Sequence, residues 1–123
     1  MADRNFSNSL ALDKALVILS GACTVATGAG GVTANNCLGA TLSRTGTGAF
    51  TITLQDRYPE LLSVNVQIGK TTAQDLVVQI LAVDLTARTI TFRTLTGVTA
   101  TDVTTEAAQF FLDIKLKNST VGP

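Results

Sequence analysis

At 123 residues the chain has the length of one domain, enough to bury a core and too little for two. Charged residues are 15% of it, against roughly 25% in typical soluble domains, and nine basic residues cancel nine acidic ones. That balance argues against a nucleic-acid binder, which needs a net basic face, and the absence of His removes Ser–His–Asp and Cys–His catalytic arrangements.

The missing charge is replaced largely by threonine, which occurs 20 times. A β-branched hydroxyl residue suits half-exposed strands, and equally suits surfaces covered by neighbouring subunits, where few charges need desolvation. Residues 1–13 mix Asp3, Arg4, Asn5 and Ser7 with isolated Phe6, Leu10 and Leu12. Two readings stand for this stretch. It is an extended arm that orders against a partner, with Phe6 as an anchor, or a terminus that packs Leu10 and Leu12 locally. Residues 14–123 are expected to form a single β domain. Its first apolar run, Ala15 to Leu19, is too short to span a membrane and follows the acidic Asp3 and Asp13, unlike a secretory signal. A buried strand in a protein made in the cytoplasm is expected here.

Gly28-Ala29-Gly30-Gly31 is a chain reversal, because glycine supplies the positive φ of tight turns. Centring the hairpin on Gly30 pairs Thr27 with Thr33, Val25 with Asn35 and Cys23 with Cys37. In that register the two cysteines form a candidate disulfide, which would add about 3 kcal/mol in the chain-entropy model. The alternative is two small buried thiols in a reducing compartment. Two thiols without further ligands leave zinc under-coordinated, so neither a metal nor any other cofactor is expected.

Thr45-Gly46-Thr47-Gly48 turns the chain into a strand in which Phe50, Ile52 and Leu54 share one face and Thr51, Thr53 and Gln55 the other. It lacks the lysine of a phosphate-binding loop and a strand, not a helix, follows it. Asp56 to Leu62 has room for one helical turn, with Asp56 as cap and Pro59 at its first position. Val64, Val66 and Ile68 then alternate with Ser63, Asn65 and Gln67.

Thr71 to Asp75 reads as a loop. Leu76 to Val83 is apolar on both faces, so it is expected to be a central strand or one whose outer face another subunit covers. A three-residue loop, Asp84-Leu85-Thr86, sets Ile80 opposite Ile90 and Val78 opposite Phe92, although a bulge would restore apolar matching in other registers. Thr96 to Glu106 is a longer polar loop. Phe110, Leu112, Ile114 and Leu116 alternate with Phe111, Asp113, Lys115 and Lys117. The pattern as a whole predicts an all-β antiparallel sandwich or barrel with at most one short helical turn. The carboxylate pairs Asp56/Glu60 and Asp102/Glu106 read as caps or solvated groups, and no enzyme activity is expected.

The run Arg44-Thr45-Gly46-Thr47-Gly48-Ala49-Phe50-Thr51-Ile52-Thr53-Leu54-Gln55-Asp56-Arg57-Tyr58-Pro59-Glu60-Leu61 resembles a motif in small structural proteins of tailed bacteriophages. There a strand of the same kind runs into an Asp-Lys-Tyr-like corner. Asp75 to Gln79, Thr89 to Arg93 and Leu116 to Val121 are similar to the same group, so the likeness covers about Lys14 to Val121. Cys23, Cys37 and the Ala49-Phe50 pair depart from it. The resemblance implies a virion protein made in the host bacterial cytoplasm, of the capsid cement or decoration type. Its partners would be the major capsid protein and copies of itself, as a trimer or dimer, with no nucleic acid and no membrane. A tail-fibre or receptor-binding module is the alternative. Candidate contact residues are Phe6, Leu10 and Leu12 in the arm, with Arg44, Arg57 and Tyr58 near the corner, since Arg and Tyr are enriched at interface hot spots.

Overall fold

The computed structural model describes residues 16–117, so Phe6, Leu10, Leu12 and the rest of the expected arm lie outside the described residues. Nine strands follow in order: β1 (Leu16–Val25), β2 (Val32–Cys37), β3 (Ala40–Gly46), β4 (Ala49–Leu54), β5 (Glu60–Gly69), β6 (Val77–Asp84), β7 (Thr89–Thr96), β8 (Thr99–Ala100) and β9 (Ala108–Lys117). They build two antiparallel sheets, one ordered β2-β1-β9-β5 and the other β3-β4-β7-β6, with the two-residue β8 added to the end of β7. The sheets pack face to face as a β-sandwich.

Period-two alternation decides what lies between the sheets. Phe50, Ile52 and Leu54 of β4, with Ile90 and Phe92 of β7, point inward and are buried. Opposite them stand Cys23 and Val25 of β1 and Ala108, Phe110, Leu112, Ile114 and Leu116 of β9. Burying a side chain of this size is worth about 1.5–3 kcal/mol, which makes the inner face the dominant stabilising surface. Thr94 is the buried polar residue among them. Its hydroxyl donates to the Thr101 carbonyl at 2.6 Å, so its burial leaves no unmet donor.

One side of the sandwich is closed by a side chain. Asn35 on β2 accepts from the Leu42 N–H at 2.8 Å and donates to the Leu42 carbonyl at 3.2 Å, joining the edge of β2 to the edge of β3. The opposite side is bounded by β5 and β6, which belong to different sheets and are not hydrogen-bonded to each other.

Several expectations need correction. In the first hairpin Cys23 stands opposite Asn35 and Cys37 opposite Gly21, a two-residue shift from the Cys23–Cys37 pairing. The cause is a 3-10 turn at Gly28–Gly30 and a register break between Thr24 and Val25. Both thiols are free. The Cys23 sulfur donates instead to the Asn35 side-chain oxygen at 3.3 Å, and burial pushes both thiols above the usual cysteine range.

The β6–β7 loop is four residues long, since Asp84 pairs with Thr89. A bulge between Ile80 and Ala82 restores apolar matching by setting Ile80, not Val78, opposite Phe92. β6 is an edge strand rather than a central one. Ile18, within the run expected to be a buried strand, is 53% exposed on the outer face of β1. No helical turn forms over Asp56 to Leu62, because Glu60 and Leu61 are already paired with Lys117 and Leu116 of β9.

Two glycines with similar backbone angles separate packing from conformation. Gly48 has φ +60°, and a Cβ there would lie 2.6 Å from the Thr101 nitrogen and 2.8 Å from the Thr94 oxygen. Gly97 has φ +64° and open space around it. Gly97→Ala is expected to cost about 1 kcal/mol, the left-handed penalty alone, and Gly48→Ala about 3 kcal/mol or more, measured by urea denaturation. The thiols give a second test. Thiol titration of native protein at neutral pH should leave Cys23 unreacted, and unfolding without reductant should expose two reactive thiols; none would restore the disulfide.

Candidate functional site

Three surfaces carry the residues of interest. The first is one end of the sandwich, where the loops at 38–39, 55–59 and 85–88 meet. The Leu54 N–H donates to the Arg88 carbonyl, the Gln55 N–H to the Gly39 carbonyl, and the Arg88 guanidinium to the Gln55 carbonyl at 2.9 Å. Arg88 adopts φ +64°, the left-handed position that closes the four-residue loop. Arg57, Tyr58 and Pro59 line a depression of about 340 Å³ together with Leu85 and Thr86. Arg57 is exposed, whereas Tyr58 packs its ring against the core. Burial and the neighbouring Asp56 carboxylate push the Tyr58 hydroxyl above the usual phenol range. Leu38, 90% exposed, tops the adjoining groove.

The second surface is the opposite end, and Arg44 belongs there. Its Nε and Nη2 donate to the two oxygens of Asp102 at 3.1 and 2.7 Å, a bidentate pair whose side chains are only 16% and 14% exposed. Asp102 Oδ1 also accepts the Gly48 N–H at 2.8 Å. This carboxylate ties the β3–β4 turn to the loop after β8. The same loop is held by Gln74, which donates to the Asp102 carbonyl and accepts from the Thr104 N–H, and by Lys70, which donates to the Thr104 carbonyl at 2.6 Å. Glu106 accepts from the Thr71 hydroxyl and the Thr72 N–H. These bonds hold Thr105 at φ +75°, a strained setting for a β-branched residue.

Arg44 is therefore spent on an internal pair, and the structure separates it from Arg57 and Tyr58 by the length of the sandwich. The Asp102 partnership is invisible in local sequence, since the two residues lie 58 positions apart.

The third surface is the outer face of the β3-β4-β7-β6 sheet. Its registers align Thr41 with Thr53 and Thr89, and Ser43 with Thr51 and Thr91. Two rows of hydroxyls thus cross three strands. Arg93 stands in the next row, between Ala49 and Gln79, and its Nε is buried without a hydrogen-bond partner among the described residues. The sequence pattern places Arg93 on this face but gives no sign that its Nε is buried without an acceptor.

These surfaces offer shape, hydroxyls and a few cations. No group of three or more potential metal-ligating His, Cys, Asp or Glu side chains occurs among the described residues. Comparisons with protein-family models, curated proteins and solved structures gave no match.

The Arg44–Asp102 pair makes a pH prediction. The Arg44 hydrogen bond, with help from the Gly48 N–H, holds the Asp102 carboxyl below its usual range. A depressed folded-state pKa means that the stabilisation is complete above the unfolded carboxylate value, about 3.9, and is lost as pH falls through the lower folded value. Thermal unfolding between pH 2 and pH 7 should show Asp102→Asn melting lower than the parent at pH 7 and the gap closing toward pH 2. Arg44→Lys should recover part of the loss, because it keeps the charge without the fork.

Proposed function

We propose that the protein is a structural component of a tailed-bacteriophage virion, a homo-oligomeric cement or decoration protein that binds the major capsid protein on the capsid surface and resists expansion. The reading rests on the Arg44-to-Leu61 resemblance and on one structural observation, the hydroxyl face of the β3-β4-β7-β6 sheet. Cementing needs broad contact area at low desolvation cost. A face of Thr41, Ser43, Thr51, Thr53, Thr89 and Thr91 can donate and accept hydrogen bonds, and carries few charges that would have to be stripped of water. Arg93, in the next row of this face, adds a cation beside the hydroxyls that a capsid carboxylate would complement. Arg57 and Leu38 at the loop end are exposed and extend the available contact area.

Purified protein mixed with empty, expanded capsids should co-sediment with them at a saturating ratio. Thr51→Lys and Arg93→Ala should reduce the bound fraction by about tenfold while leaving the monomer folded, as judged by circular dichroism. Protein that binds bacterial cells or glycans and never capsids would instead support the receptor-binding alternative.

A further inference from the structure

We propose that the outer face of the β2-β1-β9-β5 sheet binds a neutral saccharide, with one pyranose ring lying on Phe111 and its hydroxyls held by Asp113, Asn65 and Gln67. The site goes beyond the capsid reading and does not rest on it.

Phe111 differs from the other described rings. Phe50, Phe92 and Phe110 are buried and Tyr58 packs against the core, whereas Phe111 is 48% exposed on an interior strand of its sheet. Side chains alternate along β9, so Gln109, Phe111 and Asp113 share the outer side while Phe110 and Leu112 are buried.

The ring does not stand off the sheet. A Cβ added to Gly69, on the neighbouring β5, would lie 2.9 Å from Phe111 Cε2 and 3.7 Å from its Cζ. The ring therefore leans from β9 onto β5, into the space that a side chain at Gly69 would fill. One side of it covers the glycine and the other is open to solvent. Such a ring is a platform for a sugar. Its π face is negative and attracts the slightly positive C–H face of a pyranose, and both surfaces leave water.

Polar groups flank the platform. Gln67 stands beside Phe111 on β5, and the small Ala22 beside it on β1. The next row holds Ser20, Asp113 and Asn65. Rows two residues apart lie about 7 Å from each other, the breadth of a pyranose with its hydroxyls. Asn65, Gln67, Phe111 and Asp113, with Leu112 between, line a depression of about 230 Å³. That is smaller than a drug-sized pocket and has room for one sugar ring.

The donors and acceptors there are uncommitted. The side-chain amides of Asn65 and Gln67 make no hydrogen bond among the described residues. Asp113 Oδ2 accepts from Lys115 Nζ at 3.2 Å, which leaves Oδ1 to accept from a ligand. Amides donate and accept while a carboxylate accepts from two hydroxyls, and a sugar diol needs both. Asp113 is the only charged residue lining the depression, and the adjacent lysine is already paired with it. A phosphate or a uronate finds no free cation in that depression, and this favours a neutral ligand.

The two sheets pack face to face, so this face points away from the threonine rows. A molecule seated on a capsid through its hydroxyl face presents Phe111 outward. Ile18 is also exposed on the outer side of this sheet, in the row of Lys115, and lies outside the depression. A protein partner covering the face would bury Ile18 together with Phe111, whereas a single sugar ring would not.

Amide NMR of the labelled full chain, titrated with the methyl pyranosides of glucose, galactose, mannose and N-acetylglucosamine, tests the proposal. Shifts should centre on Phe111 and on the side-chain amides of Asn65 and Gln67, with the millimolar Kd of a single ring. Sorbitol, which has hydroxyls but no ring face, should cause none, and methyl glucuronide should bind about threefold more weakly than the glucoside. Phe111→Leu keeps an apolar cover on Gly69 without a π face, and should weaken binding about tenfold in a protein that still folds. Phe111→Trp should keep or tighten binding. Asp113→Ala should weaken it about tenfold, and Ile18→Ser should leave it unchanged.

No shift with any of the four glycosides at about 100 mM overturns the proposal. So does a response matched by sorbitol, or binding that survives both Phe111→Leu and Asp113→Ala. Phe111 and Ile18 amides that shift together with protein concentration would mean that a second copy covers the face, and overturn it too. If Phe111→Leu fails to fold, Asp113→Ala and Phe111→Trp decide. Saccharide binding by a protein that ignores capsids would remove the cementing role and leave this site standing; capsid binding without saccharide binding would do the reverse.

Discussion

The contact on which the rest of the structure depends is the meeting of three phenylalanines across the two sheets. Phe50 and Phe92 stand directly opposite on β4 and β7 and stack with ring centroids 5.4 Å apart and planes 14° from parallel. Phe110 reaches them from β9 in the other sheet, 5.2 Å from one and 6.3 Å from the other. Of the chain's aromatic residues, these three alone form ring contacts within the described structure. Each is worth more than an aliphatic residue, through its area and through the geometry of the pair. Because side chains alternate strictly along a strand, pointing these three inward sets the orientation of every neighbour in register. The threonines of β4 and β7 face outward as a consequence, and the hydroxyl face is the other side of the aromatic core.

That core fixes the middle of the sandwich and leaves its ends and sides to polar groups. Asp102 holds one end by meeting Arg44 and the Gly48 N–H together, so a single carboxylate spans a turn and a loop far apart in sequence. The backbone of Thr94 passes the constraint on, donating to the Gly48 carbonyl and accepting from the Thr101 N–H. On the β2–β3 side, Asn35 replaces a missing strand by bonding both backbone groups of Leu42. No such bracket joins β5 to β6 among the described residues.

How much of this could be read from the sequence follows from the range of each interaction. Alternation is local, and it located the inner faces of β4, β5 and β9, together with Gly48 as the turn before β4. Register is less local. The alternation places Val64, Val66 and Ile68 on the inner face, as observed, whereas both hairpins differ from the expected register by two residues beyond their bulges, because bulges and a 3-10 turn carry no composition of their own. Cys23 and Cys37 were drawn together by that register, and a two-residue shift was enough to part them. The apolar faces of Leu76 to Val83 fit a central strand or one covered by another subunit, and sheet order, a property of the whole chain, removes the first of these by placing β6 at an edge. At the candidate surfaces, Arg57 emerges exposed at the loop end, Tyr58 turns its ring inward, and Arg44 is claimed by a partner that no window around it contains.

The same distinction explains why an uncharged surface is informative. A charged side chain on a contact face selects partners by sign and must lose water to do so, and the loss is recovered only when an opposite charge is well placed. A threonine hydroxyl loses less, accepts as readily as it donates, and is held stiff by its branch. Rows of such residues therefore give area without strong selectivity. Selectivity must then come from the few charges present and from geometry. On the hydroxyl face the proposed contact would draw its selectivity from Arg93, the cation in the row beside the threonines. Where a partner covers such a surface, a sparse set of ions would fix register and orientation, and the neutral rows would supply contact area whose formation little electrostatic repulsion opposes.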